Sequence, residues 1–265
     1  MRAADFRVDP WTVLAIGMLA MLLSNVTHEG LGHGGACLLV GGRPTALSSA
    51  WLESDLSGVS AWGQRAEAAG GTLANVLLGA ILMGWLHVRR PATAQAYYFV
   101  WLAAVVNLLQ GGGYLLTSPF FGFGDWKEFL AGLEPQLAWK VGLTGVGLAI
   151  SCAALWAGVR SLTPLLPAGV EAKRVARQLA WLPYLVIGGG VFTLAAALNP
   201  LGPGFMLTTA LAHLGGCAWL AWLPEWVRPG TVPGALGAPR PSRGWRVAGA
   251  IALLAVFALG RGVSF

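Results

Sequence analysis

Charge is what this chain has least of: Asp, Glu, Lys and Arg make up 11% of its 265 residues, against 56% hydrophobic ones. That balance excludes an ordinary soluble domain, in which about a quarter of residues are charged. Cysteine is scarce as well. Cys37, Cys152 and Cys217 are the only three, all inside apolar runs and without C-x-x-C spacing, so they frame no disulfide scaffold and say nothing of the compartment. Four histidines are too few for the histidine-rich diiron site of a hydroxylase or desaturase. The second half of the chain carries almost no charge inside its apolar runs, which argues against an ion path through a channel or transporter. No internal repeat stands out. The one low-complexity stretch, Pro224 to Gly244, is rich in Pro, Gly and Arg and reads as a cytoplasmic linker with no fold of its own.

What is present is apolar length. A helix needs about 20 residues to cross the roughly 30 Å hydrocarbon core, and seven runs are read as spans: 11–40, 66–87, 94–117, 137–159, 179–198, 204–223 and 245–260, the last being the shortest. The expectation is an all-α polytopic membrane protein of about seven transmembrane helices. Thirteen Trp, many near the ends of these runs (Trp11, Trp85, Trp139, Trp181, Trp222, Trp245), suit interface anchors among membrane lipids. Arg2 and Arg7 precede the first run, but no small-x-small cleavage site follows it, so it is expected to stay as a first helix. The other Lys and Arg residues divide unequally. Arg89, Arg90, Arg160, Lys173, Arg174, Arg177, Arg228, Arg240, Arg243 and Arg246 join the N-terminal pair on one side; Arg43, Arg65, Lys127, Lys140 and Arg261 fall on the other. The N-terminus is then cytoplasmic and the C-terminus extracytoplasmic, in a membrane of the bacterial inner (plasma) type. The formal charge of +6 is a topology signal rather than a sign of nucleic-acid binding, and Glu171–Arg177 is expected to lie on anionic headgroups.

Against that background the sequence Asn25-Val26-Thr27-His28-Glu29-Gly30-Leu31-Gly32-His33 stands out, because ionisable groups so deep in a membrane usually mark function. From Trp11 to His28 a helix rises about 26 Å, which brings the histidines near the extracytoplasmic end of the hydrocarbon layer. In the zinc signature H-E-x-x-H the two histidines stand four apart on one helix face, and the Glu is aimed at the metal-bound water. Here they are five apart, roughly 140° around an ideal α-helix. They can share an ion only if the helix locally gains a residue per turn, as in a π-bulge, and Gly30, Gly32, Gly34 and Gly35 lower the cost of that distortion. The alternative is a set of polar helix-packing residues hydrogen-bonding to neighbouring helices.

The H-E-x-x-G-H interval resembles, locally, that of the dipeptidyl peptidase III family of zinc peptidases. Over roughly residues 11–130 the chain resembles a site-2-protease-type intramembrane metallopeptidase. The motifs are the His-Glu helix followed by Gly41-Gly42-Arg43-Pro44, where that family often has a short polar hairpin; Gly70-Gly71-Thr72-Leu73-Ala74-Asn75, similar to its G-P-x-x-N helix; and Asn107-Leu108-Leu109-Gln110 leading to Gly122-Phe123-Gly124-Asp125-Trp126, similar to its N-x-x-P and Asp-Gly ligand. Thr72 and Gln110 stand where prolines are expected, and Trp126 where glycine is. The resemblance implies a catalytic membrane core over 1–135, with further helices of unassigned role over 136–265. It implies Zn2+ held by His28, His33 and Asp125, with Glu29 as general base and Asn75 orienting substrate or stabilising the oxyanion, and it implies a transmembrane or membrane-associated protein as substrate. Three crossings from a cytoplasmic N-terminus independently bring His28, His33 and Asp125 to the same side. Other readings stay open: Asp125 as a solvated loop acid or helix cap, Glu128 or His213 as the third ligand, Asn75 as a helix–helix hydrogen bond, and the whole as a catalytically inactive zinc-binding scaffold.

Overall fold

The computed structural model describes residues 6–199, 202–228, 230 and 233–265, less the side chains of Pro203, Phe205, Thr208 and His213. Helix α1 (Pro10–Asn25) starts where Asp9 accepts the Thr12 N–H at 2.9 Å and Pro10 presets the first turn. It continues without a break through a nine-residue π-helix, Val26–Gly34, into α2 (Gly35–Leu39). A hairpin of β1 (Arg43–Leu47) and β2 (Leu52–Asp55) follows, in the place where a polar hairpin was expected. Two long helices come next, α3 (Ala61–Val88) and α4 (Ala94–Phe121), capped by Ser60 and Thr93. The short α5 (Gly124–Leu130) leads to α6 (Gln136–Leu162). Helix α7 (Glu171–Trp181) runs on through a second π segment, Leu182–Phe192, into α8 (Thr193–Ala196). After α9 (Pro203–Ala210), a π turn Leu211–Gly215 and α10 (Trp219–Trp222), the last helix is α11 (Arg243–Gly260). Strand β3 (Val263–Ser264) then pairs antiparallel with β1, giving a sheet of order β2-β1-β3.

Six helices among the described residues are long and apolar enough to cross a membrane: Pro10–Leu39, Ala61–Val88, Ala94–Phe121, Gln136–Leu165, Glu171–Ala196 and Arg243–Gly260. The protein is a predominantly helical, multi-pass membrane protein. The expected run at 204–223 is broken instead into α9, the π turn and α10, with Gly215 and Gly216 at the break. Helix α4 is the hub, with 83% of its apolar window buried. Its aromatic residues reach outward to neighbouring backbones: Tyr97 donates to Ser161 O at 2.7 Å, Tyr98 to Leu179 O at 2.6 Å and Trp101 Nε1 to Gly158 O at 2.9 Å. In a bundle without water, such donors need partners inside the protein.

Glu171–Arg177 forms the first turns of the fifth long helix, with Ala172, Val175 and Ala176 buried, because its apolar residues share one face. On its polar face Arg177 forks onto Glu225 at 2.9 and 2.7 Å. The stretch 224–244 is irregular but not free: Gly234 N–H donates to Leu166 O at 2.8 Å, Leu236 N–H to Pro164 O at 2.9 Å, and Pro239 O accepts the Asp9 N–H at 3.1 Å. Ala238, 1% exposed, is part of the core.

Helices α3 and α4 cross at Gly79, where an added Cβ would lie 2.7 Å from Leu108 Cγ, 2.8 Å from Leu108 N and 2.9 Å from Ala104 O. Backbone atoms cannot give way, so Gly79→Ala is expected to cost about 1–3 kcal/mol of overpacking. Gly84→Ala, whose Cβ would meet nothing within 4 Å, should be neutral or gain up to about 1 kcal/mol of helix propensity. Thermal unfolding of the two variants in detergent beside wild type checks the contrast.

Candidate metal centre

The π segment is what brings the two histidines together. A regular α-helix would spread His28 and His33 around its axis, whereas the wider π turn sets residues five apart on one face. Their Nε2 atoms stand 3.3 Å apart, and both imidazoles are buried. Helix α5 supplies the third group: Asp125 Oδ2 is 3.1 Å from His28 Nε2 and 3.1 Å from His33 Nε2. Three donor atoms thus form a nearly equilateral triangle, the group among the described residues arranged to hold a metal ion.

The edges of that triangle suit zinc. Ligand bonds of about 2.0–2.1 Å in a tetrahedron put neighbouring ligand atoms about 3.3–3.4 Å apart. Hydrogen bonding alone accounts for the cluster less well. His33 donates Nδ1–H to Glu67 O at 2.9 Å, which leaves the Nε2 lone pair of a neutral ring facing both Asp125 and His28. A cation held at the centre by His28, His33 and Asp125 would satisfy the facing lone pairs together. The Nδ1–H bond also fixes tautomer and ring orientation, as a partner behind a metal-ligating histidine does. His28 Nδ1, by contrast, meets no protein acceptor.

The triangle opens on a cavity of about 330 Å³. Its walls include Glu29, which is partly buried, together with Trp51 and Leu52 of the hairpin, Glu67, Gln110, Tyr114 and Glu128. Glu128 lies on the wall, outside the three-residue group. The side chain of His213 lies outside the described residues. Asn75 is fully buried but does not line the cavity; it donates to Ser24 Oγ at 3.4 Å, the helix–helix hydrogen bond that its sequence position also allowed.

Helix α3 lies against the π segment backbone to backbone. A Cβ on Gly32 would come within 2.5 Å of Gly71 Cα and 2.7 Å of Gly70 O, and one on Gly70 within 2.5 Å of Gly32 O. One on Gly71 would sit 2.5 Å from His33 Nε2 and 2.6 Å from His28 Nε2. Helix α5 is tied to α3 at two points. Trp126 Nε1 donates to Thr72 Oγ1 at 3.1 Å, and Arg65 donates to Phe129 O at 3.1 Å and Ala131 O at 2.7 Å.

Several contributors escaped the sequence reading. Glu67 offers its carbonyl to His33 and its carboxylate to Ser54 Oγ at 3.1 Å, linking α3 to β2. An acid near the start of an apolar run was the available signal. Tyr114 accepts the Asp125 N–H at 3.0 Å; its signal was a stripe of Asn107, Gln110, Tyr114 and Ser118 at helical spacing. Arg65 gave no signal beyond its charge.

The chain matches no protein-family model, no curated protein and no solved structure. Fold and centre together define a multi-pass helical membrane protein with a two-histidine, one-carboxylate group able to hold a metal ion.

Purified wild type is expected to carry near one metal ion per chain, and His28→Ala, His33→Ala and Asp125→Ala to lose it. Gly71→Ala should lose it too, because its methyl would crowd both Nε2 atoms, whereas Gly35→Ala, with nothing within 4 Å of its Cβ, should keep it. Elemental analysis after metal-replete purification checks each.

Proposed function

We propose that the protein is an intramembrane zinc metallopeptidase of the site-2-protease type, cutting a membrane-associated protein or peptide near the extracytoplasmic face. The observation that carries this is the ligand triangle of 3.1, 3.1 and 3.3 Å, opening on a cavity lined by Glu29. His28, His33 and Asp125 hold the ion. Zinc, when bound, polarises the scissile carbonyl and lowers the pKa of its water toward about 7. Glu29, next in sequence to a ligand and on the cavity wall, takes a proton from the attacking water and passes it to the leaving amine as the C–N bond breaks. A helical substrate must unwind to offer its carbonyl.

Seven crossings with a cytoplasmic N-terminus fit this reading. Helices α1 and α11 run parallel: Arg246 pairs with Asp9 at 2.8 Å at their starts, while Leu259 O, at the end of α11, accepts the Ser49 N–H at 3.0 Å. Parallel first and last spans are in keeping with an odd number of crossings, the broken segment 203–226 carrying the chain back. The core over residues 1–135 holds every proposed catalytic group, the ion being Zn2+ and the membrane of the bacterial inner type.

Glu29→Gln is expected to retain zinc and lose cleavage of a fluorogenic peptide library in proteoliposomes by at least about 100-fold, the scale of general-base catalysis. Equal turnover in wild type and Glu29→Gln would exclude the peptidase, and zinc retention in both would then leave the scaffold. Single cysteines introduced at Arg7 and Ser57 should be labelled from opposite sides of sealed vesicles.

A further inference from the structure

With Asn75 turned to Ser24, the hydrolytic reading lacks a side-chain donor for the carbonyl oxygen of a bound substrate. The cavity wall offers few substitutes. Gln110 is occupied at both ends, donating to Ala212 O at 3.3 Å and accepting from Cys217 Sγ at 3.3 Å. Asn25 gives its side-chain amide to Ser49 O, and Trp51 and Thr209 have interactions of their own. Glu29, Glu67, Asp125 and Glu128 are acids, which as carboxylates only accept. Tyr114 differs. It is 6% exposed, lines the cavity, and lies with its ring centroid 5.9 Å from that of His28. Its oxygen accepts the Asp125 N–H at 3.0 Å, which fixes the hydroxyl and leaves the O–H proton to turn toward the Asp125 carboxylate or a ligand in the cavity.

The local backbone is shaped around that oxygen. Gly124 has φ +60°, a conformation natural to glycine, and a Cβ there would overlap Tyr114 Oη. The same contact sets both Asp125 and the phenol, so the hydroxyl stands beside the triangle by construction.

We propose that Tyr114 is a catalytic hydrogen-bond donor that stabilises the substrate carbonyl oxygen as it gains negative charge, a role resting on the peptidase reading above. The phenol keeps its proton throughout: the water oxygen forms the new C–O bond and loses its proton to Glu29, which passes it to the amine nitrogen as the C–N bond breaks, and Tyr114 contributes only the O–H···O bond. Aimed at developing charge, such a donor acts in the transition state more than on bound substrate.

The test uses full-length protein loaded to saturation with Co2+, whose visible bands report ligands entering the metal's coordination sphere. Two probes are titrated: acetohydroxamate, which presents a charged oxygen, and 2-mercaptoethanol, which binds through sulfur. Tyr114→Phe is expected to weaken acetohydroxamate about 10- to 100-fold, the worth of a hydrogen bond to a charged acceptor, and to leave the thiol unchanged. Equal weakening of both probes, or of neither, overturns the proposal; a lowered cobalt affinity with unchanged hydroxamate binding would make Tyr114 a positioning residue for Asp125 and overturn it as well. If neither probe shifts the wild-type bands, the open metal site fails, and with it both the peptidase reading and this role.

Discussion

Everything at the centre depends on a contact between two backbones. Gly32 in the π segment and Gly70–Gly71 in α3 touch where no side chain fits, and that approach lets Glu67 O reach His33 Nδ1 and lets both imidazoles crowd against Gly71. Helices in lipid gain little from burying apolar surface against one another and depend instead on close packing. At this crossing the close packing also aims the ligands. The same segment, Glu67 to Thr72, receives α5 through the Trp126–Thr72 hydrogen bond, so one stretch of α3 positions all three members of the triangle.

Three side chains tie the helices around the centre to one another. Thr72 and Trp126 bond to each other, and both are buried. An indole N–H in an apolar bundle needs an acceptor, and a hydroxyl supplies it. Gln110 bonds to Ala212 and Cys217 and so attaches the broken segment 203–226 to α4 beside the cavity. That segment is no bystander, since Thr209 and Ala212 form part of the cavity wall.

The sequence made some features legible and hid others for physical reasons. Apolar length announced the membrane class, since the hydrocarbon core sets a minimum run. The five-residue histidine spacing, incompatible with an α-helix, required a widened turn, and the Val26–Gly34 π-helix supplies one. What stayed hidden was pairing across distance. Nothing within a window of residues 120–130 tells Asp125 from Glu128; the choice is made by Arg65, Thr72 and Tyr114, contributed by other helices. For Asn75 the sequence left a substrate role and a helix–helix hydrogen bond both open, because helical position fixes a face but not which neighbour that face meets. The run at 171–177 shows both a basic face and, at helical spacing, the apolar residues on which it packs.

The nine-residue π segment also bears on how such a site can be recognised at all. Strike out Gly30, whose Cβ would meet nothing closer than Val26 Cγ1 at 3.9 Å, and the text reads His-Glu-Leu-Gly-His, the ordinary four-residue interval. One residue is all that separates the two spellings. The π segment accommodates the longer interval and sets both imidazoles on a shared face, so ring nitrogens five residues apart can meet as those four apart do on an α-helix. A site of this kind is legible in where the atoms meet rather than in how many letters lie between them.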